Sequence, residues 1–254
     1  MRRLSFRSVQ VLCAAVLTTA LMACSDGSDN PGGGGDDFLP VPNPQVSMPP
    51  DVGTINLLAQ NFDLGSVGYR QSEYFLEGTA SAFTNLSELG NDGVWSVEPG
   101  ERAGYKTRIV VYRPIDPADF NGTVLMEWLN VTAGFETPPS WGTGQLEMRR
   151  GGSVWIGVSA QIVGIEGSPG GLLPLHLKAV SPERYGSLSH PGDSFSYDMF
   201  SQVAQAVRNP EGIDPLDGLV AERIIAYGES QSAGRLATYV NAIHPLYNTF
   251  DGYM

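Results

Sequence analysis

Cysteine and histidine are scarce in this chain: its 254 residues include 2 Cys and 3 His. Two cysteines exclude a disulfide framework and a Cys-rich zinc site, and three histidines give little basis for a multi-His metal centre. Basic residues are also few. Lys and Arg number 15 against 27 Asp and Glu, a formal net charge of −12. A nucleic-acid binder needs a basic face to neutralise phosphates, so no nucleic-acid partner is expected. The glycines of Gly164-Ile165-Glu166-Gly167 and Gly170-Gly171 are not followed by a Lys-Ser/Thr pair, so they make no phosphate loop. Neither a metal nor a cofactor is expected. What is present is a hydrophobic content of 42%, enough for a globular core.

The first residues read as an address. Arg2, Arg3 and Arg7 form a basic region, and Val11 to Met22 is an apolar run too short to span a bilayer comfortably. The run ends Leu21-Met22-Ala23-Cys24, which resembles the bacterial lipobox. That resemblance implies a signal peptide over 1–23, lipidation of Cys24, export, and a membrane anchor in the cell envelope. Ser25 at the next position resembles outer-membrane sorting. Residues 24–50, with four consecutive glycines and then Pro40, Pro42, Pro44, Pro49 and Pro50, read as a disordered tether. The folded domain is expected over 51–254.

Within that domain, strands alternate with helices. β-branched, aromatic and continuous apolar runs predict strands over Tyr69–Ala82, Lys106–Arg113, Gly122–Asn130, Ser153–Ala160 and Arg223–Tyr227. Continuous runs suit strands covered on both faces, as in a parallel sheet. Phe195, Met199, Phe200, Val203, Ala206 and Val207 recur at helical spacing, with Asp193 or Ser194 as cap and Asn209-Pro210 as stop. A second helix is predicted from Ser232 to Ile243, with Leu236, Val240 and Ile243 in register and His244-Pro245 ending it. The pattern predicts an α/β sheet with an antiparallel N-terminal edge.

One junction carries chemistry. Ile224-Ile225-Ala226-Tyr227 runs into Gly228-Glu229-Ser230-Gln231-Ser232, and a helix follows at once. Strand, Gly-x-Ser-x-small turn, helix is the context of a nucleophile elbow. The residues two positions either side of the serine must be small, so that strand and helix can approach. Ser230 is the expected nucleophile, because it lies directly after the strand and Gly228. A shifted frame would instead use Ser232. The N–H of Gln231, at the helix start, is an expected oxyanion donor.

These residues, with Asn121 to Val131 (Asn-Gly-Thr-Val-Leu-Met-Glu-Trp-Leu-Asn-Val), Tyr185 to Asp193 and Phe250-Asp251-Gly252-Tyr253, resemble a bacterial family of α/β-hydrolase-domain proteins from about residue 52 onward. The resemblance implies a mostly parallel α/β-hydrolase-like sheet with flanking helices, and hydrolase activity without a defined substrate. In that fold a second oxyanion donor comes from the loop after the strand that here is Leu125–Leu129, so the N–H of Val131 or Thr132 is the candidate. The loop lacks the His-Gly-Gly of many esterases.

The rest of a triad is harder to find. Glu229 reads as a structural hydrogen-bond partner, His190 as a loop residue that precedes the nucleophile, His176 as packed among leucines, and His244 as a helix stop. Trp128, Trp141 and Trp155 read as core or pocket wall. His244 lies fourteen residues beyond Ser230, about 20 Å along a helix and beyond hydrogen-bond reach. Asp251 is the only acid after Ser230. The fold is therefore expected to be incomplete at its C-terminal side, and the 254 residues to be inactive on their own. Three functions stand open: a lipid-anchored serine hydrolase of small ester-like or acyl substrates, a non-catalytic hydrolase-like binding module at the cell surface, and a structural or adhesive lipoprotein.

Overall fold

A computed structural model describes residues 38–168 and 174–254. The readings of residues 1–23 as signal peptide, of Cys24 as lipid site and of the glycine-rich part of the tether fall outside them.

Seven strands form one mixed sheet: β1 (Gln45–Ser47), β2 (Tyr69–Asn85), β3 (Val97–Pro114), β4 (Thr123–Trp128), β5 (Val154–Val158), β6 (Arg223–Tyr227) and β7 (Gly252–Tyr253), in the spatial order β1-β2-β3-β5-β4-β6-β7. The pairings from β1 through β3 to β5 are antiparallel, and those among β5, β4, β6 and β7 are parallel. Each parallel neighbour is reached by a helical crossover. The expected fold class, with its antiparallel N-terminal edge, is what the chain adopts.

Period-two alternation distributes the strands' side chains between two cores. Ile109, Val111, Met126, Trp128 and Ile156 face α5 (Ser196–Arg208), α6 (Gln231–Thr238) and the π-helical turn Tyr239–Ile243 that continues α6. Val110, Tyr112 and Trp155 face α1 (Pro139–Gly151), where Trp141 and Met148 complete the other side. Trp128, Trp141 and Trp155 are all fully buried, as core residues. With both faces covered, the continuous apolar runs are explained.

Four expectations change. Folding begins before residue 51: β1 pairs with β2, Val46 is buried, and Leu39 donates its N–H to Leu246 O at 2.8 Å. Its flanking prolines are compatible with an edge strand, where one side of the backbone needs no ladder bond. The cap of α5 is Phe195, with no side-chain capping bond. The Asp193 carboxylate instead receives the Ile162 N–H and the Arg235 guanidinium, at 2.9 and 2.7 Å. Finally, the helix after Ser230 does not stop at His244. The π turn inserts a residue into its register, and α7 (His244–Tyr247) follows with Pro245 in its first turn. The insertion leaves Val240 37% exposed and buries Tyr239, Ala242 and Ile243 in its place.

Candidate active site

The candidate site is built where β4 and β6 run parallel, with Glu127 opposite Tyr227. The loops that leave their C-terminal ends therefore emerge side by side.

Ser230 sits on the first of these loops, at φ 58° and ψ −116°. This is left-handed territory that L side chains rarely occupy, at a cost of about 1–3 kcal/mol. The side chain is exposed, and α6 begins at the next residue. Gly228 is required by the same turn. A Cβ there would lie 2.9 Å from both the carbonyl carbon and the oxygen of Ser232, so any larger residue would push the strand and helix apart. Ser232, the alternative nucleophile, is fully buried, and its Oγ has no partner among the described residues. Ser230 is thus open to solvent and Ser232 is not.

The second loop is tied to the first. Asn130 Nδ2 donates to Glu229 O at 3.0 Å, while Asn130 Oδ1 accepts the N–H of Thr132 at 2.9 Å. Asn130 and Thr137 also exchange backbone hydrogen bonds of 3.0 and 2.9 Å, which close the base of the loop. The N–H of Thr132 is thereby used. Those of Val131 and Gln231 donate to no acceptor among the described residues. Of the two loop candidates, Val131 and Thr132, Val131 is the one whose N–H stays free among the described residues. Asn130 is a site residue that sequence reasoning missed. Its signal was a lone amide side chain at the end of an apolar strand.

Beneath the loop, Glu127 is buried completely and its carboxylate collects three donors: the N–H groups of Ser140 (2.9 Å) and Trp141 (3.0 Å), and Trp155 Nε1 (2.8 Å). Two of those N–H groups open α1 and have no helical acceptor, so the carboxylate anchors that helix. Burial pushes the Glu127 carboxyl above its usual range, against the opposing pull of these bonds.

A model of the alpha/beta hydrolase domain family matches residues 40–254. The chain belongs to this family. No functionally curated protein matches. Among solved structures, the chain is similar to a Bacteroides fragilis protein named for acetyl xylan esterase activity, at 12% identity and TM-score 0.39, with 86% of this chain and 48% of that one covered. It is also similar to a Klebsiella pneumoniae protein named as a dienelactone hydrolase, at 14% identity and TM-score 0.28, with 62% and 51% covered. The chain spans about half the length of these two proteins.

None of the hydrolase domain's other candidates is hydrogen-bonded to the Ser230 side chain among the described residues. His190 is buried with both ring nitrogens engaged: Nε2 lies 3.0 Å from Ala160 O, and Nδ1 accepts the Gly192 N–H at 3.2 Å. Burial lowers its pKa, against the raising influence of Ala160 O and of Asp193, Glu166 and Glu136. It is a loop residue. His176 packs against Gly167 at the start of α3 (Leu177–Val180). His244 begins α7 and packs nearly perpendicular to the Tyr253 ring, with centroids 5.4 Å apart. Asp251 serves the opposite end of β6, where its carboxylate accepts the Ile224 N–H at 2.7 Å and Arg208 at 2.6 Å. Partial burial raises its pKa, but these bonds and the Arg208 charge outweigh that and hold it below the usual range. The Glu229 side chain, expected as a structural partner, is exposed and makes no hydrogen bond among the described residues. Its backbone carbonyl makes the tie to Asn130 instead.

Proposed function

We propose that this protein is a serine hydrolase of small esters or related acyl compounds. Ser230 Oγ is the nucleophile, and the N–H groups of Gln231 and Val131 hold the oxyanion. The observation that carries the reading is the backbone of Ser230, strained into a glycine-like conformation at a strand–helix junction with its side chain exposed. Strain without a packing or hydrogen-bonding return is characteristic of functional positions. Attack by Oγ forms a bond to the acyl carbon and breaks the ester C–O bond, and the hydroxyl proton leaves, by way of solvent, on the released alcohol. Water then adds to the acyl carbon and breaks its bond to Oγ, releasing the acid and returning a proton to Ser230. Two free N–H groups suit the charge that develops on the carbonyl oxygen. The anchoring of this activity to a membrane through acylated Cys24 is part of the same proposal.

A second reading, a hydrolase-like module that binds without turnover, is favoured by the placement of His176, His190 and His244. None of the three is bonded to Ser230, so none is assigned as general base.

Fluorophosphonate labelling followed by peptide mass spectrometry tests the first reading. Labelling is expected at Ser230, slow and rising with pH, because no imidazole among the described residues is bonded to Ser230. Added imidazole should speed both labelling and p-nitrophenyl acetate hydrolysis in the parent, beyond its effect on Ser230→Ala. Label at Ser232 instead, or equal behaviour of parent and Ser230→Ala, would overturn it.

A further inference from the structure

Glu229 stands directly before the nucleophile. Its side chain is exposed, and its carboxylate has no hydrogen-bond or ion-pair partner among the described residues. Its backbone, by contrast, is pinned. Glu229 O accepts Asn130 Nδ2 at 3.0 Å and the Ser232 N–H at 3.1 Å.

An acid at this point of a chain ordinarily serves the helix that follows, whose first N–H groups favour negative charge. Here no side chain caps α6, and its first turn holds no acid. A carboxylate folded onto the Gln231 N–H would take the place of the oxyanion. Held outside, it still acts through its charge. Adjacent Cα atoms lie about 3.8 Å apart, so the Glu229 carboxylate is within about 10 Å of Ser230 Oγ in every rotamer. That distance is about one Debye length at 0.1 M salt.

Little competes with this charge. Residues 128–135 and 228–234 contain no charged side chain other than Glu229. Arg235, the next residue along α6, is engaged by Asp193 at 2.7 Å, and that pair carries no net charge. Glu229 therefore sets a negative local field, which opposes the charge developing on the carbonyl oxygen of a neutral ester. A positive group on the substrate offsets the opposition, and a negative one adds to it.

We propose that Glu229 is a specificity-determining residue: the site selects small esters that carry a cationic group, such as a quaternary ammonium, over neutral and anionic ones. The proposal rests on the reading of Ser230 as nucleophile.

Three thioacetates test it: acetylthiocholine, its neutral isostere S-(3,3-dimethylbutyl) thioacetate, and the anionic S-acetyl-3-mercaptopropanoate. Thiol release is followed at low ionic strength with added imidazole, and the rate of Ser230→Ala is subtracted. The neutral thioester is the reference, so the intrinsic reactivity of each probe cancels when variants are compared. In Glu229→Gln the cation-to-neutral rate ratio should fall about three- to fivefold, and the anion-to-neutral ratio should rise by a similar factor. Glu229→Asp keeps the charge and should hold the parent ratios within about twofold. Salt near 1 M, where the Debye length is about 3 Å, should bring the parent ratios to those of Glu229→Gln. Parent ratios retained in Glu229→Gln, or unmoved by salt, would overturn the proposal and leave the serine reading standing. No Ser230-dependent turnover of any of the three would overturn the serine reading, and this proposal with it.

Discussion

Asn130 holds Glu229: a side-chain amide at the end of one strand donates, at 3.0 Å, to the backbone carbonyl beside the elbow serine on the next. Because Asn130 Oδ1 also accepts the Thr132 N–H, one side chain sets the spacing between the loop and the elbow. Asn130→Ala removes both bonds and leaves the Glu229 carbonyl and Thr132 N–H to find water. A stability loss of about 1–2 kcal/mol is expected by urea denaturation. Labelling of Ser230 should slow about tenfold, the scale of a displaced oxyanion donor that is not removed outright. Labelling at the parent rate would detach Asn130 from the site.

Ser230→Gly should stabilise the protein. Glycine accepts φ 58° and ψ −116° without the steric cost that a Cβ incurs there. After the extra backbone entropy that glycine loses, a net gain of about 1 kcal/mol is expected. Ser230→Ala retains the Cβ and should give no such gain. A comparison of the two melting curves checks this, since both variants lose the hydroxyl and only one loses the strain.

The pH dependence of folding should carry the mark of His190. Burial, outweighing its neighbours, lowers its pKa in the folded state below 6.5. The unfolded chain therefore binds a proton first as the pH falls. The stability contributed by neutral His190 is full above pH 6.5 and is lost as the pH drops through the folded value. In His190→Gln the decline in stability over that window should be shallower than in the parent. Equal slopes in the two proteins would show that His190 does not titrate on unfolding.

For the anchor, the comparison is Cys24→Ser against the parent, both expressed in a lipoprotein-processing bacterium fed labelled palmitate. The parent should incorporate label and sediment with membranes, and the variant should do neither. Two acyl signals are generally needed for stable anchoring, so partial release of a singly acylated form is also expected. Equal label in both proteins would remove Cys24 from the proposal.

The sequence by itself determined β2 to β6, α5, the helix after Ser230 and the elbow, and missed β1 and α1. The elements it determined depend on short-range rules: β-branched and apolar runs for β3 to β6, helical spacing for α5, and small residues on either side of Ser230. Residues next to one another in the chain carry that information. Only the tertiary structure decided the rest. Val46 joins the sheet because Leu76 of β2 offers an unpaired edge, which nothing in a proline-rich segment announces. The inserted π residue turns Val240 outward because the core accepts Tyr239 and Ala242 instead. Asp251 and His190 are titratable groups of the kind a triad needs, yet both are spent on backbone and arginine partners that lie up to 43 residues away in the chain. Asn130 and Glu229 are 99 residues apart, and Glu136 meets Gly164 across a loop and a helix. Such pairs are set by how the sheet stacks its neighbours, and chain order carries no record of that distance.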